Sequence, residues 1–137
     1  MSKQPHSRRW KLLAVSLAAT AGAFLIVANK SAAAKSAIVI KMLDMPPSFQ
    51  PVQTTIKAGE TVEWENVGNE VHHATSDPSL AIKRGEIANP PGARPFDSGF
   101  LKPGESFSHT FSVPGVYRYT CVVHEAKGMT GEIVVRK

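Results

Sequence analysis

An all-β fold, a sandwich or barrel of short strands, is predicted for residues 35–137. Three observations support this fold class. Apolar and polar residues alternate with the period of a half-buried strand in residues 61–66, turn signals separate such segments, and residues 35–137 show no convincing helical periodicity. Short strands between closely spaced turns are typical of β-sandwiches and barrels.

The strands can be justified one by one. Residues 37–42 are a β-branched run, and residues 54–57 and 61–66 flank a turn at Ala58-Gly59. Pro103-Gly104 suits the centre of a type II turn, because proline presets φ and glycine supplies a positive φ. The following strand carries Phe107, His109 and Phe111 on one face, and the chain ends with strands over residues 116–121 and 131–135.

One segment interrupts this pattern of strands and turns. Residues 77–97 contain four prolines and no clean alternation, and the only helix we expect there is a short one near residues 80–84. Loops of this length are usually functional or loosely ordered. The sequence does not assign this loop a role.

The formal charge of +5 is confined to the start of the chain. Residues 1–34 hold five Lys or Arg residues and no acids, whereas residues 35–137 hold 11 basic and 11 acidic residues. A neutral domain is a poor match for a phosphate backbone, so nucleic acid is excluded as a partner.

Residues 1–34 have the layout of a secretory signal. A basic segment precedes the apolar run at residues 12–28, and small residues that suit cleavage follow, for instance after Ala34. The run is also just long enough to cross a bilayer, so an uncleaved membrane anchor is the alternative. Arg8-Arg9 leaves twin-arginine export open beside general secretion. We therefore expect a periplasmic or otherwise exported domain at residues 35–137.

Cys121 is the only cysteine in the chain, so it cannot form an internal disulfide. His124 and Met129 follow it within the segment CVVHEAKGM. A thiolate and a thioether are soft ligands that favour copper, and methionine is a poor ligand for zinc. Two imidazoles and a thiolate with a weak axial methionine form a blue-copper site, so one more histidine is required.

His72 and His73, in the segment NEVHHATSD, are the candidates for the second imidazole. Adjacent residues of an extended chain point to opposite sides, so both cannot easily bind one metal. The turn at Gly68-Asn69 removes the phase of the preceding strand. The residues alone therefore leave the choice open.

Two segments resemble the signature of plastocyanin- and amicyanin-like cupredoxins. YRYTCVVHEAKGMTGEIVV is similar to its C-terminal half and VEWENVGNEVHHATSD to its upstream half. The resemblance implies a Greek-key β-sandwich, one type 1 copper, and His72, Cys121, His124 and Met129 as its ligands. It also implies that the backbone N–H of His73 bonds to the ligand sulfur and that His124 is partly exposed.

The function implied by the resemblance is single-electron transfer between a protein donor and a protein acceptor, by a monomer that is not an enzyme. A module that delivers or buffers copper is the main alternative, since it uses similar ligands. A copper nitrite reductase would need a second, histidine-rich copper site and normally two such domains, for which this chain is too small. A metal-free interaction domain would leave the Cys–His–Met spacing without a reason.

Overall fold

The computed structural model describes residues 37–137. The predicted signal or anchor segment lies outside these residues. Within them the all-β prediction is confirmed, because the regular structure consists of nine strands and two 3₁₀ turns, Arg84–Glu86 and Glu125–Lys127. The strands are β1 (Ile38–Asp44), β2 (Pro47–Gln50), β3 (Gln53–Lys57), β4 (Glu60–Asn66), β5 (His72–Thr75), β6 (Asp97–Leu101), β7 (Ser106–Phe111), β8 (Gly115–Thr120) and β9 (Thr130–Arg136).

The strands form two sheets, as expected for a sandwich. One sheet has the order β2-β1-β4-β7 and the other the order β3-β9-β8-β5-β6. β1 runs parallel to β4 and β3 runs parallel to β9, while the other pairs are antiparallel. Strand β8, which Cys121 follows directly, is therefore a central strand of the second sheet.

The core lies between the sheets and is centred on Trp64. In β4 the buried Val62 and Trp64 alternate with less buried glutamates, which is the predicted period of two. The Trp64 ring lies 4.9 Å from that of Phe96 and 5.4 Å from that of Tyr119, between ring centroids. Because Tyr119 belongs to the opposite sheet, these contacts join the two layers.

Several local predictions are confirmed, and others need revision. Gly104 has the positive φ that a Pro-Gly turn requires. Strand β2 was not predicted because prolines flank it, and β5 was not predicted because all four of its residues are buried and three are polar. The 3₁₀ turn in the long loop lies at Arg84–Glu86, slightly later than the expected short helix.

The long loop at residues 77–97 is tied to the sandwich. Near its end, Phe96 is buried in the core, and Ala88 forms an isolated β-bridge to Arg118 on β8. Among residues 37–137, no helix is long and apolar enough to cross a bilayer.

Candidate metal centre

Cys121 lies directly after β8 and is fully buried. Its backbone N–H donates to the carbonyl of Met129 (3.0 Å), and its own carbonyl accepts a hydrogen bond from the N–H of His124 (3.0 Å). The N–H of Met129 in turn donates to the carbonyl of His124 (3.3 Å). These bonds fold residues 121–129 into a tight loop, so the three predicted ligands on it are held by backbone contacts.

Two imidazoles approach the sulfur of Cys121 from different parts of the chain. The Nδ1 atom of His72, on β5, lies 3.9 Å from Sγ, and the Nδ1 atom of His124 lies 3.5 Å from it. One ligand atom from each of the three residues lies within 4.8 Å of the others. All three side chains are buried, so the group is a compact set of one sulfur and two nitrogen donors.

His73 has a different environment from its neighbour. Its Nε2 lies 2.9 Å from a carboxylate oxygen of Asp97, and its ring packs against Phe100 at 5.2 Å between centroids. Adjacent strand residues point to opposite sides, which explains why only His72 approaches the sulfur. The backbone N–H of His73 acts to lower the pKa of the Cys121 thiol. The hydrogen bond from this N–H to the sulfur, which the resemblance implies, stays a prediction.

Met129 is almost completely buried, on the same loop as Cys121 and His124. Its carbonyl accepts hydrogen bonds from the Cys121 N–H and from the Thr120 hydroxyl, both at 3.0 Å. The structure therefore fixes the backbone of Met129 against the end of β8. The role of its thioether as an axial ligand stays a prediction.

The outer nitrogens of both imidazoles are occupied by carboxylates. The Nε2 of His72 lies 2.8 Å from Oδ1 of Asp44, and the Nε2 of His124 lies 2.9 Å from Oε2 of Glu70. A carboxylate accepts hydrogen bonds, so a neutral imidazole in each pair carries its proton on Nε2. The lone pair of Nδ1 is then free on the side of the thiol, which is the arrangement that a copper ligand needs.

Asp44 is held by the turn that precedes β5. The N–H of Asn69 donates to Oδ2 of Asp44 (2.6 Å), and the N–H of Glu70 lies 3.4 Å from Oδ1. The Asn69 N–H and the His72 side chain lower the pKa of Asp44 by hydrogen bonding to the carboxylate form. Gly68 lets the turn approach Asp44 closely, because a Cβ at that position would displace the Asp44 carboxylate.

Burial raises the pKa of the Cys121 thiol. The backbone N–H groups of His73, His124 and Val123 act in the opposite direction and lower this pKa, because N–H dipoles near a sulfur favour the thiolate. A bound cation also favours the thiolate, since the thiolate is the form that binds metal. The buried sulfur with its N–H donors therefore suits a metal ligand.

A third carboxylate connects the ligand loop to the long loop. Glu125 is buried, and its two oxygens accept hydrogen bonds from the backbone N–H groups of Ile82 (2.8 Å) and Lys83 (2.6 Å). The long loop at residues 77–97 is thus fastened beside His124. This is the structural role that the sequence did not assign.

The expected partial exposure of His124 is wrong for this chain. The residue is buried, because the Glu70 carboxylate lies on its outer nitrogen. Sequence reasoning missed Asp44, Glu70 and Glu125 altogether, since no spacing rule relates them to the ligands. The only sequence signal was the position of Glu70 in the turn two residues before His72.

Comparison with known proteins identifies the family. The family described as copper binding proteins, plastocyanin/azurin family, matches residues 35–136. This chain belongs to the plastocyanin/azurin family. Plastocyanin of Scenedesmus fuscus is 38% identical over 88 residues, which cover 64% of this chain and 86% of the relative. Plastocyanin of Prochlorothrix hollandica is 32% identical, and the match covers 84% of this chain and 83% of the relative.

Other relatives are longer than the matched region. The match to chloroplastic plastocyanin of Tetradesmus obliquus is 35% identical but spans only 58% of that protein. Among solved structures, a reduced Cu(I) form of an amicyanin variant superimposes with a TM-score of 0.57 at 26% identity, covering 75% of this chain and 85% of that one. A copper-containing nitrite reductase from Thermus scotoductus gives a TM-score of 0.55 at 26% identity, but only 23% of that chain is covered.

These comparisons confirm the predicted Greek-key cupredoxin fold and the copper cofactor, since the family is a copper-binding one. The donor set of the structure is consistent with that metal. A thiol and two imidazole Nδ1 atoms converge, and soft sulfur with imidazole is the combination that selects copper.

Proposed function

We propose that this protein is an exported carrier of single electrons, with His72, Cys121, His124 and Met129 as the ligands of one type 1 copper. The observation that carries the proposal is the pair of Nδ1 atoms at 3.9 and 3.5 Å from a buried cysteine sulfur. Two imidazoles and one thiolate are the equatorial ligands of blue-copper electron-transfer sites, and a methionine completes such sites.

The surrounding residues hold the donors in one arrangement. His72 belongs to a strand, Cys121 follows a strand directly, and Asp44 and Glu70 orient the two imidazoles. Copper, when bound, supplies a one-electron couple. A carrier needs ligands that move little between its two oxidation states, and ligands fixed by the sandwich meet that need.

His124 has the most direct connection to the surface among the proposed ligands. Its carboxylate partner Glu70 is half exposed, and its chain neighbour Val123 is one of the exposed large apolar residues. We propose that a protein donor and a protein acceptor dock on this side of the domain. The net charge of residues 35–137 is zero, so strong long-range steering is not expected.

Burial of the centre favours an electron carrier over a copper-delivery module. His72, Cys121, His124 and Met129 are all buried, and Glu125 fastens a further loop beside His124. Delivery requires copper that exchanges readily with another ligand set. The family relationship to plastocyanins also favours a carrier over an enzyme, and the similarity to nitrite reductase covers only a small part of that enzyme.

The test measures electron exchange and copper exchange on the same copper-loaded protein. NMR line broadening in mixtures of the oxidised and reduced forms gives the rate of electron self-exchange. A competing Cu(I) chelator gives the rate of copper release. Fast self-exchange with slow release is the expected result. Rapid loss of Cu(I) to the chelator with slow self-exchange would contradict the carrier and support copper delivery.

A further inference from the structure

Both imidazoles that face Cys121 donate their outer N–H to a carboxylate. The pairs are His72 with Asp44, at 2.8 Å, and His124 with Glu70, at 2.9 Å. The two acids come from separate places in the sequence, the end of β1 and the turn before β5. The centre therefore has a negatively charged partner behind each of its nitrogen donors.

One turn positions both carboxylates. Asp44 accepts hydrogen bonds from the N–H groups of Asn69 and Glu70, and the Glu70 side chain reaches His124. The buried Asn66 fixes this turn, because its amide donates to the carbonyl of Glu70 (2.8 Å) and accepts from the N–H of Gly68 (3.0 Å). Glu70 thus connects the two pairs, because its N–H bonds to Asp44, the partner of His72, and its carboxylate bonds to His124.

We propose that Asp44 and Glu70 are positioning residues that lower the reduction potential of the centre by stabilising its oxidised form. This inference rests on the proposed function. A carboxylate that accepts from a ligating histidine raises the basicity of that ligand and fixes its tautomer. The negative charge of two carboxylates and a thiolate also exceeds the positive charge of a divalent ion. This excess of negative charge grows when the ion is reduced. Nearby negative charge therefore favours the more positive oxidation state.

The two carboxylates should differ in strength. The Asp44 side chain is 16% exposed, whereas that of Glu70 is 53% exposed. Water and salt screen an exposed charge much more than a buried one. Asp44 should therefore have the larger effect on the potential, and the effect of Glu70 should decrease as salt is added.

The test replaces each acid by its neutral amide, Asp44→Asn and Glu70→Gln, in the full chain loaded with copper. Asp97→Asn is the matched control, because Asp97 also bonds to a histidine at 2.9 Å, but that histidine is His73, whose ring does not approach Cys121. Redox titration gives the potential of each variant, and the absorption spectrum shows whether the centre is intact.

For Asp44→Asn we expect the ratio of Cu(II) to Cu(I) affinity to fall about tenfold, the lower end of the usual effect of such partners on metal affinity. For a one-electron couple this raises the potential by about 59 mV. Glu70→Gln should give a smaller rise that salt reduces, and Asp97→Asn should change the potential least.

The result that overturns the inference is an intact centre in which the Asp44 and Glu70 variants have the same potential as the Asp97 control. A wild-type protein without a thiolate-to-copper band would instead overturn the proposed function. A measurement without copper separates the two further. NMR of the metal-free protein at alkaline pH should show His72 and His124 as Nε2–H tautomers. An Nδ1–H tautomer at either residue contradicts the inference, even if the Asp44 variant does not fold.

Discussion

Replacing Asn66 by alanine should destabilise the metal-free protein strongly, although Asn66 is not a proposed ligand. Its side chain is completely buried and makes three hydrogen bonds. The amide donates to the carbonyls of Glu70 (2.8 Å) and Leu101 (2.9 Å), and its oxygen accepts from the N–H of Gly68 (3.0 Å). Asn66→Ala removes all three bonds and takes the side-chain partner away from each backbone group.

The size of the effect follows from the burial of those partners. The bond to Leu101 is fully buried, and removing one partner of a buried hydrogen bond costs about 2 kcal/mol. The partners at Gly68 and Glu70 are only partly buried and can bind water, so each costs about 0.5 kcal/mol. The sum is about 3 kcal/mol in the free energy of unfolding, or a decrease in Tm of about 12 °C or more.

Urea and thermal unfolding of the metal-free wild type and variant give both quantities. Asn89→Ala is the matched control, because the Asn89 amide makes one bond, to the carbonyl of Ser76 (2.7 Å), and its own oxygen is buried without a partner. The control should cost about 1 kcal/mol or less. An Asn66 variant that is no less stable than the Asn89 variant would refute the reasoning.

Three further predictions concern other parts of the domain. Met129→Leu should raise the reduction potential and keep the blue colour if the thioether is a weak axial ligand, and an unchanged potential in redox titration would count against that role. Gly131→Ala should lower the free energy of unfolding by about 1–3 kcal/mol, because the new Cβ would overlap the buried Tyr119 ring. Gly85→Ala serves as the control, since a Cβ at Gly85 has open space around it. Equal stability of the two variants would contradict this prediction. Burial lowers the pKa of His109, so the unfolded chain binds a proton more readily than the folded one. The free energy of unfolding should therefore decrease as the pH falls below the ordinary histidine pKa of about 6.5. The His109→Gln variant should lose less stability than the wild type over that pH range in unfolding experiments. Parallel plots of stability against pH for the two proteins would contradict this role of His109.

The fold could be predicted from the sequence because its signals are local. Alternation at Val62 and Trp64 gave β4, and the Pro103-Gly104 pair gave the turn before β7. Strand β5 has no such signal, since its four residues are buried on both sides and pair with β6 and β8. Its formation depends on neighbours that are distant in sequence.

The candidate site likewise combines a local sequence signal with contacts between distant segments. The spacing of Cys121, His124 and Met129 lies within one loop and can be read directly. The carboxylate partners are separated from their histidines by 28 residues for Asp44 and His72, and by 54 residues for Glu70 and His124. Contacts between distant segments have no period or motif, so the burial of His124 under Glu70 required the folded structure.

The central claim is that Cys121 and two imidazoles bind copper in a type 1 geometry. The most direct measurement is the absorption and EPR spectrum of the protein loaded with Cu(II). We predict an intense thiolate-to-copper charge-transfer band and a narrow copper hyperfine splitting, both of which Cys121→Ser should abolish. A pale spectrum typical of ordinary cupric complexes would show that Cys121 does not bind copper in this geometry.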